Sequence, residues 1–502
     1  MTVGELLRAL DRVPGLARSP VPGGGALDTT CTGVAHDSRR VARGAVFVAL
    51  LGLKANGAIF APQAIAAGAS AIVAEAPPST DVSVPWIVVS DARLALAWLS
   101  AEFSGHPSRE MKVIGITGTN GKTTTAFLAS AILDAAGIQS GLMGTVTYRI
   151  GDRAFDATRT TPEAPDLQGY MRDMVTEGCG ACVMEVSSHA LALKRVDGIQ
   201  FAAAVFTNLT RDHLDFHADM EDYFAAKRRL FELLPDDAPA VINVDDPRGT
   251  SLVEIVRRPV TYGINKTADV SPGPLSFSLS GLDFDIRTPR GIVHVRSKLV
   301  GRPNVYNILG AVGTVLELGV PIEAVEDGLQ RLPGVPGRFE VVSSEADDVT
   351  VVVDYAHTDD ALRNLLETAR PMAARRLITL FGAGGDRDRN KRSLMGMVAA
   401  RLSDVVVITS DNPRSEDPIR IIEDVKRGAD AETRQSSASV VTEVDRREAI
   451  LQAVRDAGAG DVVLIAGKGH EKYQEVAGRR FPFDDIEVAR EALETRRVKT
   501  GS

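Results

Sequence analysis

The sequence predicts an α/β protein of three domains: a small mixed α/β N-terminal domain, a central domain of the P-loop type with a mainly parallel sheet, and a C-terminal Rossmann-like α/β domain. A length of 502 residues predicts about three domains at roughly 150 residues each. From residue 111 onward, strand-like apolar runs alternate with helical segments, as in parallel sheets covered by helices. Breakers at 105–108 and 334–337 divide the chain into 1–108, 109–337 and 338–502.

Each domain shows its own elements. In the first, short β-branched runs (AVFVAL, AIVAEA, WIVVS) precede the helical stretch LALAWLSAEF. The second opens with the strand KVIGITG and the helix TAFLASAILDAAG. The third contains four candidates for buried strands, TVVVDYA, RLITLFG, DVVVITSDNP and DVVLIAGKG, with helical stretches between them. This order predicts two larger α/β domains behind a smaller one.

Composition and charge exclude several classes of protein. With 57 basic and 66 acidic residues, the formal net charge is −9, which argues against a nucleic-acid partner. Three cysteines cannot form a disulfide framework and fit a reducing cytosol. The N-terminus lacks a secretory pattern, and the uncharged run 58–74 is too short and too interrupted to span a bilayer. We therefore expect a cytoplasmic protein that does not insert into membranes.

The sharpest motif is GITGTNGKTT, at 115–124, between a strand and a helix. Glycines there let backbone N–H groups and the helix N-terminus converge on phosphate oxygens. Lys122 would neutralise the β- and γ-phosphates, and Thr123 or Thr124 would offer a hydroxyl to Mg²⁺. The strict pattern GxxxxGK[ST] fails at Ile116. The nearest match to a guanine-reading motif, 265–268, ends in alanine instead of aspartate, so ATP is favoured over GTP and the central domain is interpreted as an ATPase domain.

Two further side chains follow strands of the central domain. Glu185 ends the apolar run CVMEV, and the carboxyl ends of parallel strands are where such sheets bind ligands. A carboxylate beside ATP is a good ligand for Mg²⁺. His213 follows the strand AAVFTN. Taken alone, Glu185 is explained at least as well by a solvated strand end, and His213 by a polar loop, as by a functional role. The pair Cys179 and Cys182 has no second pair and is interpreted as structural.

Seven motifs together resemble one family. They are GITGTNGKTT, EVSSH (185–189), NLTRDHLDFH (208–217), AKRRLF (226–231), GRPNVYN (301–307), PGRFE (336–340) and DYAHTDDAL (354–362). In this order they resemble the Mur ligases, the ATP-dependent amide-forming enzymes of peptidoglycan precursor synthesis. The chain most resembles the branch that adds the third residue of the stem peptide. In this family, Ile116 is an ordinary residue of the loop.

The resemblance implies roles for single residues around ATP. Asn304 would approach the adenine, and Arg338 and Asp354 would contact the nucleotide from beyond the linker. Lys227 stands where family members carry a lysine carbamate. The implied triphosphate loop consists of Gly118, Thr119, Asn120, Gly121, Lys122, Thr123 and Thr124. The implied catalytic residues are Lys122, Glu185, His213 and Lys227, and the implied ligands of Mg²⁺ are Thr123, Glu185, His213 and Lys227 as its carbamate.

The resemblance also implies two substrate sites. The acceptor would be UDP-MurNAc-L-Ala-D-Glu, bound by Ser38, Thr160, Thr161, Ser187 and Arg195. Leu193, and Leu53-Lys54-Ala55, depart from the polar residues of many relatives. The motif DNPR favours meso-diaminopimelate over L-lysine, because an arginine fork at Arg414 can pair with the distal carboxylate that lysine lacks, while a glutamate holds the ammonium. The implied diamino-acid residues are Arg387, Asp411, Asn412, Pro413, Arg414, Gly467 and Glu471.

The expected chemistry is transfer of the γ-phosphoryl group of ATP to a carboxylate, followed by attack of an amine. Because the acyl phosphate is hydrolysable, we expect the third domain to close over the second about the linker at 334–337. We expect a monomer. Three alternatives stay open: the same chemistry with L-lysine, ornithine or another diamino acid, a folylpolyglutamate synthetase, and a non-catalytic scaffold that binds ATP. The separate N-terminal domain and DNPR count against the folate enzyme.

Overall fold

The computed structural model describes residues 1–21, 27–52, 56–433 and 437–500. The departure noted at Leu53-Lys54-Ala55 lies outside these residues. Three α/β units follow one another along the chain, each built on its own sheet. In the part of the chain that the structure describes, no helix is long and apolar enough to cross a membrane.

The N-terminal unit is a five-stranded mixed sheet in the order β1-β5-β4-β3-β2, in which only β1 is antiparallel to its neighbour. Its strands are β1 (Arg18–Val21), β2 (Val34–Ala35), β3 (Val46–Ala49), β4 (Ala71–Ala74) and β5 (Trp86–Val89). Its helices are α1 (Val3–Arg8), α2 (Ala61–Ala66) and α3 (Ala92–Phe103). Strands β3 and β4 are buried along their whole length, since helices pack against both faces of the sheet.

The central unit is an eight-stranded sheet in the order β13-β12-β11-β6-β10-β7-β8-β9. The first six strands in this order are parallel, and only β8 and β9 are antiparallel. The strands are β6 (Lys112–Thr117), β7 (Ser140–Met143), β8 (Thr147–Ile150), β9 (Arg153–Asp156), β10 (Ala181–Glu185), β11 (Ala203–Phe206), β12 (Ala240–Asn243) and β13 (Pro259–Tyr262). The carboxyl ends of β6, β10 and β11 therefore meet at one edge.

Seven helices and a small second sheet cover this unit. The helices are α4 (Lys122–Ala135), α5 (Ala164–Thr176), α6 (Ser188–Ala192), α7 (Met220–Glu232), α8 (Pro247–Val253), α9 (Arg302–Glu317) and α10 (Ile322–Arg331). The small antiparallel sheet consists of β14 (Ser271–Pro272), β15 (Leu282–Thr288) and β16 (Gly291–Ser297). Alternate side chains of β15 and β16 face the apolar core shared with α4, α9 and α10.

The C-terminal unit is a six-stranded sheet in the order β17-β18-β22-β19-β20-β21, parallel except for β17. Its strands are β17 (Glu340–Val341), β18 (Thr350–Asp354), β19 (Leu377–Phe381), β20 (Val405–Ile408), β21 (Ser439–Thr442) and β22 (Val462–Ala466), with a hairpin of β23 (Tyr473–Val476) and β24 (Arg479–Pro482). Its helices are α11 (Asp359–Ala369), α12 (Asn390–Leu402), α13 (Pro418–Thr433), α14 (Arg446–Asp456) and α15 (Asp485–Thr500). All four predicted strands are present, and the predicted fold class is confirmed.

The segment between the second and third units is anchored at both ends. Val335 is 2% exposed and belongs to the core of the central unit. Gly337 packs on the C-terminal unit, where its carbonyl accepts the N–H of Tyr355 at 2.9 Å. A Cβ added at Gly337 would meet the backbone N of His470 at 2.3 Å. The chain therefore passes from one unit to the other at Pro336, a shorter connection than the predicted linker of four residues.

Candidate functional site

The backbone of the loop between β6 and α4 accepts only glycine at two positions. Gly118 has φ +144° and Gly121 has φ +87°, both in the region that L side chains rarely adopt. A Cβ at Gly118 would lie 1.9 Å from Thr207 Oγ1, and one at Gly121 would lie 2.3 Å from Asn307 Oδ1. Helix α4 begins at Lys122, so its free N–H groups face the loop, as a phosphate site requires.

Thr207 and Asn208, which follow β11 and for which no role was predicted, hold this loop in place. Asn208 Oδ1 accepts the N–H of Asn120 at 2.9 Å, and its carbonyl accepts the N–H of Thr119 at the same distance. Thr207 Oγ1 donates to the carbonyl of Asn120 at 2.6 Å. Thr119 Oγ1 also lies 3.2 Å from Tyr223 Oη on α7. The loop is therefore fixed from the neighbouring strand before any ligand binds.

Two lysines approach the same stretch of backbone. Lys122 Nζ donates to the carbonyls of Gly118 and Thr119 at 2.9 and 2.7 Å. Lys227 Nζ, from α7, donates to the carbonyl of Gly118 at 2.7 Å and lies 4.3 Å from the ring centroid of Tyr223. Burial lowers the pKa of Lys122, and burial together with the charge of Lys122 lowers the pKa of Lys227 well below its ordinary value. Both lysines thus lie against the backbone of the phosphate loop, in surroundings that disfavour two buried positive charges.

Glu185, at the end of β10, is buried among hydroxyl groups. Thr123 Oγ1 donates to its Oε1 at 2.9 Å. Thr145 donates through its N–H to Oε1 at 2.8 Å and through its hydroxyl to Oε2 at 3.1 Å. A Cβ at Gly144 would lie 2.4 Å from Oε1, so the chain passes directly beside the carboxylate. The carboxylate is thus placed next to the phosphate loop and is not a solvated strand end.

His213 lies in an aromatic group at the same edge of the sheet. Its backbone has φ +56° and its side chain is 39% exposed. Its ring lies 4.9 Å from the ring of His189, and Nε2 lies 3.4 Å from Asp212 Oδ2. Partial burial lowers the pKa of His213 to about 3, with the charges of Lys122 and Lys227 adding to the effect. At neutral pH the imidazole is uncharged, and a ring nitrogen can bind a metal ion.

Four of the five residues implied for the acceptor form a network of hydrogen bonds around Glu185. Thr160 Oγ1 lies 3.1 Å from Thr145 Oγ1. Thr161 Oγ1 donates to the carbonyl of Glu185 at 2.9 Å and accepts the N–H of Ser187 at 3.1 Å. Arg195 Nη1 donates to the carbonyl of Thr161 at 3.1 Å, and its guanidinium pairs with Glu163 at 2.6 Å. Ser38 belongs to the N-terminal unit, in the short helix Ser38–Arg40, and donates to Gln63 Oε1 at 2.9 Å.

Side chains of the C-terminal unit reach the phosphate loop. Arg338 Nη2 donates to Thr123 Oγ1 at 3.2 Å, and its guanidinium lies 4.5 Å from the ring centroid of Tyr355. Asn120 Nδ2 donates to Asp360 Oδ2, at the start of α11, at 2.9 Å. The two units are thus in contact across the loop. Asp360 belongs to the motif DYAHTDDAL, but no role was predicted for it, because its partner lies 240 positions away.

Two residues predicted to contact the nucleotide have structural hydrogen bonds. Asp354 Oδ2 accepts the N–H of Phe339, and its Oδ1 accepts the N–H of Ala356, both at 2.7 Å. Asn304 Nδ2 donates to the carbonyl of Val300 at 2.7 Å, and its Oδ1 accepts from Asn307 at 2.9 Å. Asp354 thus stabilises the turn from which Arg338 extends. Asn304 supports the phosphate loop indirectly, because it forms a hydrogen bond with Asn307, which packs against Gly121 of the loop.

A second cluster lies at the carboxyl edge of the C-terminal sheet. Asn412 Nδ2 donates to Glu471 Oε2 at 2.8 Å. Gly467 has φ +117°, and a Cβ there would lie 3.2 Å from Asp411 Oδ2. Lys468, for which no role was predicted, is fully buried between Asp411 and Asn412. Asp411 and Asn412 are 6% and 4% exposed, because Lys468 forms a hydrogen bond with each of their side chains.

Arg414 is held by its backbone as well as by its side chain. Its φ of +53° lies in the left-handed region, and its N–H donates to the carbonyl of Glu475 at 3.0 Å. Its Nη1 donates to the carbonyl of Gly385 at 2.8 Å. A Cβ at Gly385 would meet the carbonyl oxygen of Pro413 at 1.9 Å, so the two loops are in close contact. Arg387 is exposed at the rim, with Nη1 donating to the carbonyl of Asp386 at 3.1 Å.

Comparison with known proteins identifies three family models along the chain. "Mur ligase family, catalytic domain" matches residues 30–104, "Mur ligase middle domain" matches 116–315, and "Mur ligase, glutamate ligase domain" matches 337–469. The sheets of the three units lie largely within these matches, which run in the order that the motifs predicted.

Individual relatives match nearly the full length. The UDP-N-acetylmuramoyl-L-alanyl-D-glutamate–2,6-diaminopimelate ligase of Solibacter usitatus (strain Ellin6076) is 47% identical, covering 98% of this chain and 98% of the relative. The protein of the same name from Geobacillus kaustophilus (strain HTA426) is 46% identical, covering 98% of this chain and 100% of the relative. A solved structure with this name is 34% identical, covers 99% of both chains and superposes with a TM-score of 0.69.

Proposed function

The chain belongs to the Mur ligase family, and on that premise we propose that it is an ATP-dependent ligase that joins meso-diaminopimelate to the γ-carboxylate of D-glutamate in UDP-MurNAc-L-Ala-D-Glu. One observation carries the proposal from the geometry. Thr123 Oγ1, in the phosphate loop, lies 2.9 Å from the Glu185 carboxylate of the central unit and 3.2 Å from the Arg338 guanidinium beyond the linker. Phosphate-binding, metal-binding and cationic groups from two units thus converge on one point.

The first step activates the carboxylate. An oxygen of the D-glutamate γ-carboxylate attacks the γ-phosphorus of ATP, the bond from that phosphorus to the β,γ-bridging oxygen breaks, and acyl phosphate and ADP form. Two anions must approach each other, so positive charge at the loop is required. The ammonium of Lys122 and the guanidinium of Arg338 supply it on either side of Thr123. In this step the α4 N-terminus and loop N–H groups hold the transferred phosphoryl oxygens.

The second step forms the amide. The uncharged amine of diaminopimelate attacks the acyl carbon and gives a tetrahedral oxyanion. The bond from carbon to the phosphate oxygen then breaks, inorganic phosphate leaves, and the nitrogen loses a proton. Water would compete with the amine, so contacts such as Asn120 with Asp360 are proposed to keep the two units together over the intermediate.

Magnesium ions fit the oxygen-rich surroundings of Glu185. Among the described residues, no group of three or more His, Cys, Asp or Glu side chains is arranged to hold a metal. Mg²⁺ in nucleotide sites, however, takes one or two carboxylates together with phosphate oxygens and waters. We propose Thr123, Glu185 and His213 as its protein ligands. When bound, the metal would offset the charge that develops on the phosphoryl oxygens.

Lys227 is proposed to carry a carbamate. A carbamate forms from CO₂ and an uncharged amine, and the buried position of Lys227, with its lowered pKa, favours that form. Tyr223 and the carbonyl of Gly118 surround the amine and give it no anionic partner within hydrogen-bonding distance among the described residues. The resulting carboxylate would be a further ligand for the metal.

The remaining roles are proposed from the family resemblance together with placement. Residues 1–108 would bind the uridine nucleotide through Ser38, 109–337 would bind ATP and the acceptor, and 338–502 would bind the amino acid. We further propose a cytoplasmic monomer. The three cysteines are all described and all free, as a reducing compartment would keep them. Light scattering of the purified chain tests the monomer.

The deciding experiment measures phosphate release from ATP and Mg²⁺ with UDP-MurNAc-L-Ala-D-Glu, comparing meso-diaminopimelate with L-lysine. Release that depends on diaminopimelate is the expected result. Release with lysine alone would retain the ligase and reject the assignment of Arg414. ATP binding without release for any amino acid, ornithine included, would favour a non-catalytic relative.

A further inference from the structure

The cluster of residues proposed to bind the diamino acid contains a buried lysine. Lys468 lies in the loop after β22, and its side chain is 0% exposed. Its Nζ lies 3.2 Å from Asp411 Oδ1 and 3.0 Å from Asn412 Oδ1. It lies 3.5 Å from Glu471 Oε2. One ammonium thus contacts three of the residues proposed to bind the diamino acid.

The other charges around Glu471 do not replace this ammonium. Arg446 is fully buried, but it forms an ion pair with Asp485 at 2.7 Å, and both side chains are 0% exposed. The guanidinium of Arg414 is directed to the carbonyl of Gly385. Lys472, which follows Glu471 in the chain, is 76% exposed and lies 3.7 Å from Asp484. Also near Glu471 are the phenols of Tyr355 and Tyr473 and the ring of His470, which precedes it in the chain. None of these three carries a positive charge at neutral pH, since burial lowers the pKa of His470 to about 3.

We propose that Lys468 is a positioning residue that keeps Glu471 ionised and oriented to receive the side-chain ammonium of the diamino acid. This inference rests on the proposed function. Two carboxylates in one buried site share a proton unless a cation offsets one of them. Lys468 lies 3.2 Å from Asp411 and 3.5 Å from Glu471, so its single positive charge offsets one of the two carboxylate charges and leaves one negative charge for the substrate. It also donates to Asn412 Oδ1, which fixes the amide so that Nδ2 donates to Glu471.

This arrangement defines the class of substrate. Because Asp411 is already paired with an internal ammonium, the pocket offers one carboxylate for one ammonium group. Arg414 offers one guanidinium for one carboxylate. The complementary ligand is an amino acid whose side chain ends in both groups.

The test replaces the ammonium without changing the length of the side chain greatly. In Lys468→Met, the KM for meso-diaminopimelate should rise about 10-fold or more at pH 7.5, as expected when a buried charged contact is lost. The KM for ATP should stay unchanged. The ratio of variant to wild-type KM for diaminopimelate should fall as the pH is raised toward 9, because the proton shared by Asp411 and Glu471 is then released.

A second pair of variants separates positioning from a general loss of structure. Asp411→Asn and the double variant Asp411→Asn/Lys468→Met should differ in KM for diaminopimelate by less than wild type and Lys468→Met do, because without the Asp411 carboxylate the lysine keeps only its contacts with Asn412 and Glu471. The double variant leaves no unpaired carboxylate of Asp411 and carries the test if Lys468→Met does not fold. Additive losses in the double variant, or equal effects on ATP and diaminopimelate, would overturn the inference. Absence of diaminopimelate-dependent phosphate release in the wild type would instead overturn the proposed function.

Discussion

Replacing Arg414 by alanine tests the choice of amino acid most directly. The side chain of Arg414 is 22% exposed, and Nη1 of its guanidinium donates to the carbonyl of Gly385 at 2.8 Å. Its remaining donors form the edge that would pair with the distal carboxylate of diaminopimelate. Alanine removes this edge but should leave the fold intact, because the left-handed backbone at 414 already carries a non-glycine residue.

The size of the effect follows from the surroundings of the guanidinium. Loss of a buried charge-assisted pair costs about 2–5 kcal/mol, which is roughly 30-fold to several thousand-fold in affinity. The carboxylate of Glu475 lies 3.9 Å from Nε of Arg414 and already offsets part of the charge. We therefore expect a rise in the KM for diaminopimelate at the lower end, about 30- to 300-fold. The KM for ATP should change less than about twofold, since this guanidinium lies outside the phosphate loop.

Phosphate release at varied diaminopimelate and varied ATP measures both constants. Arg414→Lys is the matched variant: it keeps the charge but loses the planar fork, so it should restore only part of the affinity. Arg427→Ala, on α13 and 71% exposed, is the control for loss of an arginine elsewhere on the unit. Equal increases of both KM values in Arg414→Ala, or unchanged discrimination against L-lysine, would refute the assignment.

Four further outcomes are expected. Lys122→Ala should lower kcat roughly 1000-fold or more, because a charge at the developing phosphoryl anion is lost; wild-type rates would contradict the phosphate-loop assignment. Intact mass measurement at neutral pH should find a mass increase equal to one CO₂ that disappears on acidification and in Lys227→Ala; persistence in the variant would exclude this site. Scattering should detect compaction on addition of an ATP analogue with both substrates, and Asp360→Ala should reduce it and lower kcat/KM for ATP about 10-fold; identical profiles would argue against closure. The Arg497 side chain holds the pKa of Asp347 at about 2. This stabilises the fold above the ordinary pKa of aspartate and is lost as pH falls toward 2. Asp347→Asn should therefore lower the free energy of unfolding by about 1 kcal/mol at pH 7 and by less at pH 3; a constant difference would refute the linkage.

Local pattern predicted the elements that bury long apolar runs. The strands KVIGIT and ACVME lie where the sequence placed them, and Glu185 follows as the last residue of its strand. The edge strand Ser439–Thr442 was not predicted, because its side chains are mostly exposed and lack an apolar run. Periodicity reports burial against a sheet face, so an exposed edge gives little signal.

The partners of the site residues could not be predicted in the same way. Thr145 and Asn208 lie in polar loops, and only the folded chain brings them to Glu185 and Asn120. A run of charged residues in the C-terminal unit does not reveal from sequence whether the charges face water or one another. Lys468 is the clearest case, since it is fully buried among its partners. Long-range pairing of this kind is a property of the tertiary structure.

The short passage at Pro336 has a mechanical consequence. Val335 is embedded in one unit and Gly337 in the next, so relative motion depends on the torsions of very few bonds, and the ring of Pro336 fixes one of them. We therefore expect the C-terminal unit to rotate about Pro336 in a narrow range of directions. Ordering the backbone costs about 1–2 kcal/mol per residue, so fixing this short connection costs far less than ordering a long flexible linker. Insertion of flexible residues beside Pro336 would enlarge the volume that the C-terminal unit explores and slow its return to the phosphate loop.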